Sequence, residues 1–353
     1  MEAYDIYPFI SKDYLLLDNL YNDKGVLLLR KGMKLTQVHI NIIQKHQLKR
    51  IEEVTLAKPA LKNFRMIKED YKKNISSVKE FFQTTVQDNP KSIQELLDSF
   101  SPFMQDVMNT SAIMPGIYSL KSFDEYTFRH SVNVGIICGL LGKILNYNDN
   151  AIIKLGEMGL LHDIGKMRIP LHILNKPGRL TKDEFDIIKK HPVHGYEMLK
   201  DIKGISQESA LGALYHHEKL DGTGYPLNKV KEEIPFAVQI LSVADTFDAI
   251  CSQRVYSEER PPLYALDELL KDAFVNKLNP EIVIPFVRFV MEQQMNEEVV
   301  LSDDRIGRIV FFYDDEPSRP IIQLDNELLD LKFHREIYIK AMVVHDDEIE
   351  DAG

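Results

Sequence analysis

Histidine and aspartate residues recur at near-regular intervals through the middle of this chain, and this pattern restricts its fold more than any other feature. Most intervals are 25 to 32 residues, about one helix and its turn, and the residues are His130, His162, Asp163, His191, His216, His217 and Asp245. The segments that carry them are apolar with helical spacing. A helical bundle would present each group from a different helix toward one central point.

The chemistry of these side chains indicates what the central point would hold. Imidazole and carboxylate groups suit iron, manganese or zinc, and a set without cysteine argues against a structural zinc site of the thiolate type. Any one of these residues alone could be a satisfied core histidine or a helix cap. Several ionisable groups aimed at one core would destabilise the fold strongly unless metal ions neutralised them. Seven ligands suit two octahedral ions with a shared carboxylate better than one tetrahedral ion.

Two further features lie close to these candidate ligands in the sequence. Lys166 follows Asp163 by three residues, so both would share one helix surface. Beside metal ions a lysine suits a phosphate oxygen, whereas the structural alternative is a solvated lysine at a helix end. The segment "HHEKLDGTGYPLNKV" contains glycines and a proline directly after two candidate ligands. It predicts a tight loop whose backbone and Tyr225 ring contact whatever the metals hold.

Composition and charge exclude several other classes of protein. The chain has 353 residues and a net charge of −11, which argues against a binder of nucleic-acid polymers or membrane surfaces. Two distant cysteines, Cys138 and Cys251, give no disulfide framework. The most apolar stretch, residues 131–145, is interrupted by Lys143 and is too short for membrane insertion. The start of the chain shows no signal peptide, so we expect a soluble cytoplasmic protein.

The hydrophobic patterns predict a mainly α protein with small mixed ends. The expected parts are a small α+β N-terminal module (1–58), a helical segment (59–118), a helical-bundle catalytic domain (119–297), a small β-rich C-terminal unit (298–345) and an acidic tail (346–353). The helical segment could pack on the bundle or form a dimerising signal helix. Packing is favoured because heptads are not sustained, although a homodimer stays open.

The segment from 119 to 295 resembles the HD-GYP domain, a branch of the HD superfamily of metal-dependent phosphohydrolases. His162 and Asp163 match the "HD" signature, and Gly224, Tyr225 and Pro226 match "GYP". The stretches "NKPGRLTKDEFDIIKKHPVHG" and "VADTFDAI" are also similar to this family. The resemblance implies a cyclic di-GMP phosphodiesterase of bacterial second-messenger signalling, which forms pGpG, GMP or both. It also implies two divalent metal ions, commonly iron or manganese.

The resemblance further implies a role for each residue. One metal would take His130, His162 and Asp245, and the second would take His191, His216 and His217. Asp163 would bridge the two ions as a catalytic residue, and Lys166 would contact the scissile phosphate. Substrate contacts would come from Gly222, Gly224, Tyr225, Pro226 and Arg254.

Two positions depart from the family pattern. Tyr126 stands where some members have a glutamate that holds a third metal, so two metals are favoured. Residues 254–257 read Arg-Val-Tyr-Ser where the family often has Arg-Pro-Tyr-Arg, so a second arginine is missing. This difference bears on substrate affinity and choice.

Two other functions compete with cyclic di-GMP hydrolysis. A receptor would bind a cyclic dinucleotide without cleaving it and signal through a partner, for instance one that contacts the GYP loop. An HD phosphohydrolase could instead act on another nucleotide, such as cyclic GMP-AMP. The chain keeps all seven ligand residues, which favours an enzyme over a pure receptor.

Overall fold

The computed structural model describes most of the chain after residue 60 and a few short pieces before it. The described residues are 15–16, 20–21, 27–29, 33, 39, 56–57, 61–87, 93–108, 126–252, 262–325 and 327–343. The chain divides into two compact units, residues 1–69 and 70–353.

The first unit contains four short strands among its described residues: β1 (Leu15–Leu16), β2 (Leu20–Tyr21), β3 (Leu27–Leu29) and β4 (Leu56–Ala57). Strands β2 and β3 pair antiparallel, with Leu20 opposite Leu29, as expected for a hairpin of two apolar runs. Strand β1 pairs antiparallel with β4. Most of the segment that would supply the helix of this module lies outside the described residues.

Two helices precede the central bundle, α1 (Leu61–Val86) and α2 (Ile93–Met108). Helix α2 buries its apolar face, and Phe100 and Met104 on that face lie fully inside the protein. A Cβ atom on Gly156 would lie 2.6 Å from Met104 Sδ and 2.9 Å from Phe100 Cε1, so α2 packs directly on the bundle. Of the two alternatives for this segment, packing agrees with the described contacts.

Nine helices follow among the described residues: α3 (Tyr126–Ile144), α4 (Asp149–Leu161), α5 (Leu171–Leu174), α6 (Lys182–Ile188), α7 (His191–Leu199), α8 (Gln207–Tyr215), α9 (Phe236–Ser252), α10 (Pro262–Phe274) and α11 (Pro280–Gln294). A 3₁₀ segment, Ile164–Arg168, directly follows the end of α4. Capping residues explain where three of these helices begin, because Asn148, Thr181 and Ser206 cap α4, α6 and α8 with their side-chain oxygens.

Helices α3 and α4 form a hairpin whose backbones touch. A Cβ atom on Gly159 would lie 2.7 Å from the backbone nitrogen of Gly135, so only hydrogen atoms fit between the two helices. This close approach brings the start of α3 beside the end of α4. His130 and His162 therefore face each other, with ring centroids 5.1 Å apart.

An antiparallel sheet follows the helices. Its strands are β5 (Glu298–Leu301), β6 (Ile306–Phe311), β7 (Ile321–Gln323), β8 (Leu328–Asp330) and β9 (Ile339–Met342), in the order β8-β7-β6-β5-β9. Val299 of β5 lies opposite Gly307 of β6 and Met342 of β9. The Ser318 backbone N–H donates to Asp267 Oδ1 of α10 at 3.1 Å, which ties the sheet region to the helices. The predicted mainly α fold with a small β-rich C-terminal unit is confirmed.

None of the helices in the described ranges has the length and apolar character required to cross a membrane.

Candidate metal centre

The seven predicted ligands come from five places in the bundle and meet at one point. His130 lies in α3, His162 directly follows the last residue of α4, His191 begins α7, and Asp245 lies in α9. Asp163 lies between α4 and the 3₁₀ segment, and His216 and His217 follow the end of α8. All are buried except His217, which is partly exposed. Helix ends thus supply most of the cluster, which explains the near-regular spacing in the sequence.

The first group of candidate ligands contains His130, His162 and Asp245, whose ligand atoms lie within 4.8 Å of one another. The His130 Nε2 atom is 3.0 Å from Asp245 Oδ1. The His162 Nε2 atom is 3.8 Å from the same oxygen. Two imidazole nitrogens and one carboxylate oxygen therefore converge from three helices.

The second group contains His191, His216 and His217, which also meet within 4.8 Å. The Nε2 atoms of His191 and His216 are 3.1 Å apart. The His217 ring lies beside both, with centroids 4.1 Å from that of His216 and 5.0 Å from that of His191. Three imidazoles so close together form a nitrogen-rich site.

The Asp163 carboxylate lies between the two groups, and each oxygen faces one of them. Its Oδ2 is 3.4 Å from His162 Nε2 and 3.6 Å from His130 Nε2. Its Oδ1 is 3.4 Å from His191 Nε2 and 3.8 Å from His216 Nε2. This is the placement that a carboxylate shared by two ions would need.

Hydrogen bonds at Nδ1 fix the orientation of three of the imidazoles. His162 donates to the Gly159 carbonyl at 2.7 Å, His191 to the Ile188 carbonyl at 2.7 Å, and His216 to the Ala213 carbonyl at 2.9 Å. A carbonyl can only accept, so Nδ1 carries the proton and Nε2 keeps its lone pair. Each Nε2 lone pair is therefore available to a cation in the cluster.

Unsatisfied buried atoms test whether the cluster fits metal ions. Among the described residues, three buried side-chain atoms have no hydrogen-bond partner: Ser131 Oγ, His162 Nε2 and Asp163 Oδ1. The last two belong to the cluster and face its interior. A buried polar atom without a partner costs stability, and a cation would remove that cost. The donor set and these two atoms fit divalent metal ions.

Burial and neighbouring charges set the protonation of His191, His217 and Asp163 without metal. Burial lowers the pKa of His191 to about 4 and that of His217 to about 3, so both stay neutral near pH 7. Burial alone would raise the pKa of Asp163, but Lys166 and His162 hold it well below its usual range. Neutral imidazoles and an ionised carboxylate are the forms that bind cations.

Lys166 lies at the edge of the cluster, where it pairs with the central carboxylate. Its Nζ donates to Asp163 Oδ2 at 2.5 Å, and its side chain is 18% exposed. The ammonium group therefore lies between the cluster and solvent, where it can contact an anion that binds from outside.

The loop after α8 places the predicted substrate residues beside the second group. The Tyr225 ring lies beside the His217 ring, with centroids 4.7 Å apart and the planes tilted by 33°, and Pro226 follows it. Gly222 has a φ of +77°, which favours glycine. A Cβ atom on Gly224 would collide with the backbone of Glu218 and Lys219. Arg254, the remaining predicted substrate contact, lies outside the described residues.

Three residues that support the site were not predicted from the sequence. Asp248 accepts a hydrogen bond from His130 Nδ1 at 2.7 Å, and Asn133 donates to Asp248 Oδ1 at 2.9 Å. Glu218 holds the loop by accepting from the backbone N–H groups of Leu227 at 2.6 Å and Lys229 at 3.0 Å. Asp248 and Asn133 each follow a candidate ligand by three residues, and this helical spacing could have indicated them.

Comparison with known proteins agrees with this geometry. A sequence model of the family described as an HD domain matches residues 118–282. Residues 118–282 therefore resemble an HD domain. The predicted resemblance to the HD family is therefore confirmed, and the matched span contains all seven candidate ligands, Lys166 and the loop.

The chain is similar to several curated proteins. A cyclic di-GMP phosphodiesterase of Pseudomonas aeruginosa is 34% identical over 216 residues, which are 61% of this chain and 51% of that protein. A cyclic di-GMP phosphodiesterase of Thermotoga maritima is 34% identical over 208 residues, 57% of this chain and 54% of that protein. A 3'3'-cGAMP-specific phosphodiesterase of Vibrio cholerae is 34% identical over 153 residues, 43% of this chain and 35% of that protein. The chain thus spans about half the length, or less, of these relatives.

A solved structure supports the fold beyond the HD domain. An HDG"Y"P protein from Bdellovibrio bacteriovorus has a TM-score of 0.56 and 18% sequence identity. The match covers 80% of this chain and 95% of that chain. At this identity the likeness concerns the fold alone.

Proposed function

We propose that the HD domain hydrolyses a phosphodiester bond of cyclic di-GMP and releases pGpG, GMP or both. The observation that carries the proposal is the Asp163 carboxylate, which directs one oxygen to each histidine-containing group. The curated relatives from Pseudomonas aeruginosa and Thermotoga maritima, named as cyclic di-GMP phosphodiesterases, support this choice of substrate. Second-messenger signalling in the cytoplasm is the setting that this activity would serve.

The residues that would hold the cofactors follow from the two groups. His130, His162 and Asp245 would hold one divalent ion, His191, His216 and His217 would hold a second, and Asp163 would contact both. Iron or manganese suits this imidazole and carboxylate set. When bound, such ions supply Lewis acidity and lower the pKa of a bound water.

The side chains around the cluster would bind and orient the substrate. The Lys166 ammonium group, half-buried beside Asp163, would contact a phosphoryl oxygen and offset the negative charge that develops there. The Tyr225 ring beside His217 offers a flat apolar surface for a base of the dinucleotide. The fixed loop from Gly222 to Pro226 would hold that ring in place, and Arg254 would add a phosphate contact. A signalling partner could bind the same loop, and a homodimer is compatible with this function.

A second candidate substrate is cyclic GMP-AMP. The Vibrio cholerae relative named for that substrate is as identical to this chain, over a shorter span, as the two cyclic di-GMP relatives. Both dinucleotides have the same phosphodiester backbone, so the metal centre does not discriminate between them. A non-cleaving receptor remains the third alternative.

Hydrolysis of both dinucleotides in parallel tests the proposal. The protein would be purified anaerobically, loaded with Mn²⁺ or Fe²⁺, and its products separated by chromatography. We expect pGpG or GMP from wild type and none from Asp163→Ala or from wild type with a chelator. Cleavage of cyclic GMP-AMP alone would replace the substrate. Tight binding of cyclic di-GMP without cleavage by metal-loaded protein would favour the receptor.

A further inference from the structure

A tyrosine outside the HD domain is linked to the metal centre through buried hydrogen bonds. The Tyr71 hydroxyl of α1 donates to Asn133 Oδ1 at 2.6 Å. The Asn133 amide donates to Asp248 Oδ1 at 2.9 Å, and Asp248 Oδ2 accepts from His130 Nδ1 at 2.7 Å. The four side chains are almost completely buried, with exposures of 0% to 3%. Three helices, α1, α3 and α9, thus contribute to one connected set.

This set differs from the support of the other candidate ligands. His162, His191 and His216 donate from Nδ1 to a carbonyl within the preceding four residues, so local backbone orients them. In the described contacts of His130, its Nδ1 donates to a side chain 118 residues away in sequence. The orientation of His130 therefore depends on tertiary contacts between helices.

The chemistry of each group determines the direction of the hydrogen bonds. A carboxylate only accepts, so Asp248 requires N–H donors from both His130 and Asn133. With its amide nitrogen facing Asp248, Asn133 presents its carbonyl oxygen to Tyr71. The tyrosine hydroxyl satisfies that oxygen and so favours this amide orientation. A flipped amide would direct its oxygen at the Asp248 carboxylate, which is repulsive.

We propose that Tyr71 is a positioning residue for the group formed by His130, His162 and Asp245. It acts through Asn133 and Asp248, which hold the His130 ring with Nδ1 protonated and Nε2 directed into the cluster. The proposal rests on the proposed metal-dependent function. It makes α1, which precedes the HD domain, a part of the metal centre.

Removal of the hydroxyl alone tests the role of Tyr71. Tyr71→Phe keeps the ring, whose centroid lies 6.3 Å from that of Phe103. The matched control is Thr85→Val, which removes a buried hydroxyl from the same helix. Among the described residues, this hydroxyl donates to the Phe81 carbonyl at 2.7 Å, one turn earlier in the helix. Mn²⁺ binding to metal-free protein would be measured by titration calorimetry and by the electron paramagnetic resonance signal of free Mn²⁺.

We expect Tyr71→Phe to weaken one of two Mn²⁺ sites by about threefold to tenfold, somewhat less than the loss of a group in direct contact with a ligand. The Mn²⁺ affinity of the second site should match that of wild type, and so should the affinities of both sites in Thr85→Val. A Tyr71→Phe protein with wild-type affinity at both sites would overturn the proposal. Equal weakening in Thr85→Val would also overturn it, because helix stability would then explain the effect.

A double-mutant cycle tests the route through Asn133. If Tyr71 acts through Asn133, then Tyr71→Phe should cause no further loss of affinity in an Asn133→Ala background. If each substitution instead reduced Mn²⁺ affinity by its own factor and the two factors multiplied in the double mutant, the route through Asn133 would be overturned. Failure of wild type to bind Mn²⁺ would contradict the metal centre itself, whereas wild-type binding with no Tyr71 effect would contradict only the positioning role.

Discussion

At the scale of single residues, Asp163 lies at the middle of the candidate metal centre. One buried carboxylate faces four imidazole nitrogens, from His130, His162, His191 and His216, at 3.4 to 3.8 Å. Its pKa is held low by Lys166 and His162 against the opposing effect of burial. Burial alone would favour the protonated carboxyl group, so the lysine charge helps to keep the carboxylate ionised.

Lys166→Met should separate phosphate binding from metal binding. We expect kcat to fall about 100-fold, as for loss of a charged group that stabilises a transition state, while the protein still binds two Mn²⁺ ions. Steady-state kinetics and metal analysis would measure both quantities. The control is Lys271→Met, which removes an exposed lysine that pairs with Glu268 three residues away. A Lys166→Met protein with unchanged kcat would exclude the phosphate contact.

At the scale of secondary-structure elements, backbone contact between the 3₁₀ segment and α7 sets the distance between the two groups. A Cβ atom on Gly165 would collide with the His191 carbonyl and the Gly195 backbone nitrogen. Gly165 lies between Asp163 and Lys166, and His191 belongs to the second group. The absence of a side chain at Gly165 therefore allows Asp163 to reach both groups.

Gly165→Ala should disturb fold and metal centre together. We expect the free energy of unfolding to fall by about 3 kcal/mol, because backbone atoms cannot rotate away from the added methyl group. Mn²⁺ affinity should fall as well. Denaturant unfolding and Mn²⁺ titration would test this against Gly178→Ala. At Gly178 an added Cβ atom meets nothing within 4 Å, although the backbone has a positive φ of 98°. Equal effects of the two substitutions would refute the close-contact explanation.

Helix periodicity and ligand spacing were sufficient to predict the bundle and the residues that meet in it. His130 and Asp245 are 115 residues apart, yet the apolar helices that carry them predicted a common core. Helical spacing could indicate that Asn133 and Asp248 lie near candidate ligands, but it could not predict their hydrogen-bond partners or the role of Tyr71. Their roles depend on which helix faces meet and at what rotation, and periodicity identifies the apolar face without identifying its partner.

At the scale of the whole molecule, the cluster makes stability depend on pH when metal is absent. The folded-state pKa of His191 is about 4 and that of His217 about 3, below the value near 6.5 for an unfolded chain. Below about pH 6.5 the unfolded chain binds protons that the folded state excludes, so stability falls toward pH 4. Hydrogen bonds to Asp245 and Asp248 outweigh the effect of burial and raise the pKa of His130 to about 10. The contribution of protonated His130 to the free energy of unfolding is therefore lost as the pH rises from about 6.5 to 10.

Thermal unfolding of chelated protein at pH 5, 6.5 and 8 would measure this dependence. We expect the Tm of wild type to fall from pH 6.5 to 5, and His217→Asn to reduce that fall because it removes one of the imidazoles that must remain neutral. His172→Asn, at an exposed position, is the control and should change nothing. An identical acid response in wild type and His217→Asn would contradict the assignment.

The touching backbones of α3 and α4 have a consequence for how this protein tolerates substitution. Added methyl groups at Gly135 and Gly159 would meet backbone atoms of the facing helix at 3.0 and 2.7 Å. These positions have no reactive chemistry, yet they determine how closely His130 approaches His162. In a saturation mutagenesis screen for lost Mn²⁺ binding, they would score with the candidate ligands, and even alanine would be harmful there. A residue's sensitivity in such a screen would therefore report the spacing between helices as well as the site of reaction.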